Sequence, residues 1–133
     1  MRDINAPHLT AWMLMMAVTF FTKNPSALLK AFQGKITQEE AEGSITTWEI
    51  TKSGCFTHKG KQYARDAFFR ASTDDGKLVF NIIRPEGKGV GVRTYGYYHG
   101  HLIETFLNHF DTQFVSASAT ALPVAGDDIT QPA

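Results

Sequence analysis

Two β-forming runs, 62–72 and 77–84, stand on either side of Thr73-Asp74-Asp75-Gly76, and this pair constrains the fold more than any other feature of the chain. Asp-Gly between apolar runs is a strong short-range hairpin signal, because glycine supplies the positive φ that a tight reversal needs. In the second run Leu78, Val79, Phe80, Ile82 and Ile83 leave only Asn81 polar, which predicts a central strand covered on both faces. Further strands are expected at 44–51 and 55–58, separated by Lys52-Ser53-Gly54 and closed by Lys59-Gly60. After the flexible loop Pro85-Glu86-Gly87-Lys88-Gly89, residues 90–95 are expected to pair back.

The flanks read as helical. Residues 8–22 form an apolar run with Pro7 suited to a first helical turn, and a helix is expected there; a buried strand competes for part of it, since periodicity does not separate the two. Asn24-Pro25 is a restart signal, with Leu28, Leu29 and Phe32 on the buried side and Gly34 as the stop. Thr37-Gln38-Glu39-Glu40 has the capping-box spacing and predicts one short helical turn that ends at Gly43. Residues 100–110 give the cleanest helix, starting as early as Tyr97. Leu102, Ile103, Phe106, Leu107 and Phe110 share one face; His101, Glu104, Thr105, Asn108 and His109 share the other. A last strand is expected at 114–122, with Val115, Ala117, Ala119 and Ala121 on one side. The expected fold is α+β, an antiparallel β-meander covered by helices in the order α-α-β-β-β-β-β-α-β. Residues 1–122 make one domain and 123–133 a mobile C-terminal tail.

A chain of 133 residues with a hydrophobic fraction of 43% is long enough for one core. Cys55 is the only cysteine, which excludes an internal disulfide and fits a reducing compartment. The run 11–21 is shorter than the ~20 residues a bilayer span needs. It lacks a basic flank (Arg2 is followed at once by Asp3) and no small-x-small site follows it. The expectation is a cytoplasmic protein without membrane association.

Function is less constrained. Gly87-Lys88-Gly89-Val90-Gly91 fails as a phosphate loop, because Gly89 rather than Ser or Thr follows the lysine; Thr94 stands where a dinucleotide fingerprint needs its third glycine. Three surfaces then compete. Trp12, Met13, Met16 and Phe20 exceed what one side of a short helix needs, and they are candidates for a partner or self-association interface. The chain is neutral overall, but 52–93 carries nine basic against four acidic residues, while no Lys or Arg occurs from Thr94 onward. Within and beside that basic segment Lys59, Lys61, Arg65, Arg70, Arg84, Lys88 and Arg93 interleave with Tyr95, Tyr97 and Tyr98, a pairing of phosphate-neutralising and base-stacking groups suited to single-stranded nucleic acid. His99, His101 and Glu104 form the third candidate, as metal ligands or an acid–base pair. By elimination the expected function is a non-enzymatic binding or interaction protein, acting through a protein partner or as a homo-oligomer and needing no cofactor. Nucleic-acid binding is the alternative, and a small metal-dependent enzyme the third reading.

Overall fold

The hairpin that the sequence marks most strongly lies at the centre of the sheet. In the computed structural model, which describes residues 18–129, Phe68–Asp74 pairs with Lys77–Ile83 along its whole length, closed by Asp74 opposite Lys77. Gly76 takes φ +73° and Asp75 N–H donates to Asp74 Oδ1 (2.8 Å), so the reversal uses the conformation that only glycine adopts freely. In chain order the elements are β1 (Val18–Phe21), α1 (Pro25–Thr37), β2 (Trp48–Ile50), β3 (Phe56–His58), β4 (Phe68–Asp74), β5 (Lys77–Ile83), α2 (Val92–His109) and β6 (Ser116–Ala119). The six strands form one antiparallel sheet in the order β2-β3-β4-β5-β1-β6. The α+β class with an antiparallel sheet covered by helices is therefore as the sequence implies. Among the described residues no helix is long and apolar enough to cross a membrane.

Both helices lie on one face of the sheet, and phenylalanine rings fill the space between. Phe80 of β5 meets Phe20 of β1, Phe32 of α1, Phe56 of β3, Phe69 of β4 and Phe106 of α2 at ring-centroid distances of 5.7–5.9 Å, all edge-on. Phe20 stacks on Phe106 at 4.1 Å and Phe32 on Phe56 at 4.7 Å. All six of these rings are fully buried. Trp48 closes the β2 end, its indole N–H donating to Thr105 Oγ1 at 3.0 Å.

Several elements differ from their sequence expectation. The end of the apolar run 8–22 is strand β1, the competing reading, because β5 and β6 supply partners on both sides; residues 8–17 lie outside the described residues. Helix α1 opens as expected, with Asn24 Oδ1 accepting from Ala27 N–H (3.2 Å) and Pro25 in its first turn. It does not stop at Gly34 but runs to Thr37, whose hydroxyl donates back to Gln33 O (3.0 Å) instead of capping a new helix. The strand expected at 44–51 is confined to 48–50, and the one expected at 62–72 starts at Phe68. Residues 90–95 do not pair back: α2 starts at Val92, since Tyr95, Tyr98, His99, Leu102 and Phe106 make one buried helical stripe. Leu107, assigned to the buried face, is exposed, whereas Thr105 is buried as the acceptor for Trp48.

Beyond β6 the chain returns to the sheet. Asp128 bridges Ile83 in parallel, its N–H donating to Ile82 O (2.8 Å) and its carbonyl accepting from Arg84 N–H (2.6 Å). Asp127 Oδ1 accepts from Asn81 Nδ2 (2.8 Å) and Ile82 N–H (3.1 Å), which gives the buried amide of β5 a partner. Gly126, at φ +94°, presses so close that a Cβ there would lie 2.9–3.0 Å from the Asn81 amide.

Two substitutions separate these layers. Phe80→Ala removes the ring that five others meet and is expected to cost about 3–5 kcal/mol in urea unfolding. Gly126→Ala combines a disfavoured φ with that overlap and is expected to cost more than about 1 kcal/mol. A cost near zero for Gly126→Ala would mean that the segment 124–128 contributes nothing to folding.

Candidate functional site

The side chains with acid–base chemistry converge where α2 crosses β2 and β3. His58, at the end of β3, is buried, and its Nδ1 accepts from Gly60 N–H (3.1 Å). The ring proton therefore sits on Nε2 and is donated to the Tyr97 hydroxyl (3.0 Å). Beside this pair, His101 Nδ1 faces Glu104 Oε1 at 3.0 Å, one helical turn on. The two imidazoles meet edge to face at 4.8 Å. His101 lies between Trp48 (5.4 Å, interplanar angle 20°) and Tyr97 (5.5 Å, 18°), and Tyr63 stacks on the far side of Tyr97 (4.1 Å, 14°). Four near-parallel rings thus run from Trp48 through His101 and Tyr97 to Tyr63. Burial, and after it the neighbouring His101, lower the pKa of His58; burial, and then Glu104, raise that of Tyr97. Both shifts favour the neutral forms, which suit a packed hydrogen-bonded pair.

The residues proposed as metal ligands separate. His101 and Glu104 bond each other, whereas His99 turns into the core. Its Nδ1 donates to Tyr95 O (2.7 Å), and its ring stacks on Tyr95 at 3.8 Å and meets Phe69 edge-on at 5.4 Å. Burial lowers the His99 pKa, partly offset by the Tyr95 carbonyl and Asp127. No group of three His, Cys, Asp or Glu among the described residues is placed to hold a metal ion. His58, Trp48 and Tyr63 complete the cluster and were not singled out with His101 by the sequence. They come from strand and loop positions far along the chain, where no local spacing announces them.

The basic residues are dispersed and partly neutralised. Arg65 pairs with Glu49 (3.3 Å), Arg84 with Asp128 (3.2 Å) and Lys88 with Asp66 (3.1 Å), while Arg70 donates to Gly126 O (3.3 Å). Lys59, Lys61 and Arg93 are exposed, the first two in the β3–β4 loop and the last in the first turn of α2. The tyrosines are not a stacking platform. Tyr95 and Tyr98 are buried, and Tyr97 is held in the ring stack. Of the residues proposed for an interface, Phe20 is core; Trp12, Met13 and Met16 lie outside the described residues.

Among the described residues an uncovered apolar surface lies elsewhere, around β6. This strand is the sheet edge among the described residues, and the stretch Thr112–Gly126 that contains it has no charged side chain. Val115 just before it is 83% exposed and Leu122 just after it 75%. Leu122 also borders an apolar groove of about 330 Å³ with Val90, Val92, Tyr95, Pro123 and Ile129, in which Val92 is 92% exposed. The opposite edge differs: β2 has three residues and carries Glu49, ion-paired to Arg65.

No protein-family model matches the chain, and no curated protein or solved structure matches it either.

The histidines carry a pH dependence of stability with a definite sign. His58, His99 and His109 all have pKa values below 6.5 in the folded state, His109 through burial and then Lys35. Below pH 6.5 the unfolded chain therefore binds protons that the folded chain refuses. Stability is expected to be level above about pH 7 and to fall as pH drops, by at most about 1.4 kcal/mol per pH unit for each histidine. Urea midpoints between pH 8 and pH 5 check this, and His99→Gln should flatten the slope; an unchanged slope would show that His99 does not contribute.

Proposed function

We propose that this chain is a non-enzymatic binding protein that works as a homo-oligomer, joined through the β6 edge of its sheet. The observation that carries this reading is the uncharged edge strand with Val115 and Leu122 exposed at its two ends. An open edge offers unpaired N–H and C=O groups to another strand, and proteins that must stay apart protect such edges with charge, proline or very short strands. The β2 edge has two of these protections, its three-residue length and a charged pair. Within β6 itself Ser116, Ala117, Ser118 and Ala119 supply neither charge nor proline.

A second copy is the partner best matched to this edge. Antiparallel pairing of β6 with itself is two-fold and self-complementary, and it extends the sheet without a break. Small side chains on β6 let the second strand approach, while Val115 and Leu122 gain cover at both ends. The stretch Thr112–Gly126 itself carries no charge to repel its symmetry mate. The nucleic-acid and metal-enzyme alternatives draw less support, since Tyr95 and Tyr98 are buried, Tyr97 is held between Tyr63 and His101, and His99 points away from His101 and Glu104.

Sedimentation velocity from about 1 to 500 µM tests the proposal, a range set by ordinary affinities. The expected result is the mass of two chains at the upper concentrations. Val115→Lys with Leu122→Lys should weaken the association at least about tenfold, equivalent to about 1.4 kcal/mol, without moving the urea midpoint. A mass of one chain throughout, or a dimer indifferent to both lysines, would overturn the reading.

A further inference from the structure

On the sheet face opposite the helices, a second cavity of about 540 Å³ opens where the β2–β3 turn curls over the ends of β4 and β5. Its floor is Phe68 and Ile83, directly paired across β4 and β5, with Cys55 beside them. Its polar lining contains two cations, Lys52 and Arg65, and no carboxylate. The volume is that of an ordinary small-molecule site, and the combination of an apolar floor with a few oriented polar groups is what such sites require.

The walls are formed in advance. Thr51 N–H donates to Cys55 O (2.8 Å), Gly54 N–H to Thr51 O (2.9 Å) and Cys55 N–H to Thr51 Oγ1 (3.2 Å), which fixes the turn carrying Lys52. The opposite wall is Arg65, the only non-glycine residue with positive φ among those described, at +59°. Its N–H bonds His58 O (3.3 Å), and its guanidinium lies 5.8 Å over the Phe68 ring. That conformation is uncommon for arginine, yet it sets the cation at the edge of the apolar floor. Arg65 is partly offset by Glu49, which lies outside the lining, and Lys52 has no acidic partner among the described residues.

We infer that this cleft binds a small amphipathic organic monoanion, with its charge between Lys52 and Arg65 and its apolar body on Phe68 and Ile83. The match rests on charge: a neutral apolar molecule would leave Lys52 unused, and a cation would meet two like charges. The site is independent of the β6 edge, so it stands or falls apart from oligomerisation.

The single cysteine reports on this cleft alone. The test compares 1-anilinonaphthalene-8-sulfonate with the uncharged N-phenyl-1-naphthylamine, and follows both probe fluorescence and the rate at which the neutral reagent iodoacetamide alkylates Cys55. The anionic probe is expected to slow alkylation at least about fivefold at saturation, as burial of the thiol beneath a ligand requires. Lys52→Glu, at an exposed turn position, is expected to weaken the anion about tenfold and leave the neutral probe unchanged. Anion binding that leaves Cys55 fully reactive, or equal affinity in Lys52→Glu, overturns the inference. So does binding lost in the Val115→Lys/Leu122→Lys variant, which would place the probe at the other surface.

Discussion

Edge-on packing around Phe80 is the contact on which the other elements depend. One ring in β5 touches rings from three other strands and both helices, so neither layer can shift without opening a gap among them. Aromatic pairs in this geometry contribute about 0.5–1.5 kcal/mol beyond the area they bury. The sheet register follows from the same constraint. A slip of one residue in β5 would replace Leu78, Phe80 and Ile82 on the helix side by Val79, Asn81 and Ile83, and put a polar amide into the centre of the ring cluster.

What was legible in the sequence follows the range of the physical signal. The β4–β5 hairpin depends on a turn and two runs adjacent in sequence, and its turn forms where the residues say, although β4 starts only at Phe68. The N-terminus of α1 is equally local, since Asn24 and Pro25 make it with their own neighbours. The start of α2 is earlier than Tyr97, the earliest start expected, because Val92 and Tyr95 are β-formers by propensity. Their helix is decided by burial of Tyr95, Tyr98, His99 and Leu102 on a common stripe, and that spacing of three and four residues was present in the sequence. β1 was ambiguous for the opposite reason. Four consecutive apolar or β-branched residues suit either state, and only the neighbouring strands choose.

The sites were harder to read than the fold, because their geometry is non-local. His101 and Glu104 are one turn apart and do meet, as their spacing allows. The partners that define their surroundings, His58 and Trp48, come from the β2–β3 hairpin. Charge counting likewise located a basic segment without its pairing. Glu49 and Asp128 answer two of its cations from outside the segment, and Asp66 answers Lys88 from 22 residues away within it. The loss of cations after Thr94 was visible, but its meaning depends on β6 being a sheet edge, which is a fact of topology.

The tyrosines of α2 connect this core to both proposed surfaces. Tyr98 is fully buried, yet its hydroxyl donates to Tyr63 O and accepts from Asp66 N–H (3.2 Å), which holds the loop that contains Arg65. Tyr95 reaches the other way and donates to Thr120 O (2.9 Å), just past the end of β6. A buried phenol needs a partner for its hydroxyl, and beside the Thr57 and Thr120 side chains these two find loop backbone. One helix therefore fixes the wall of the cleft at one end of the sheet and the exit of the edge strand at the other. Residues that composition offered as a stacking surface act instead as tethers. Their rings belong to the core, and only their oxygens reach the loops where binding is proposed.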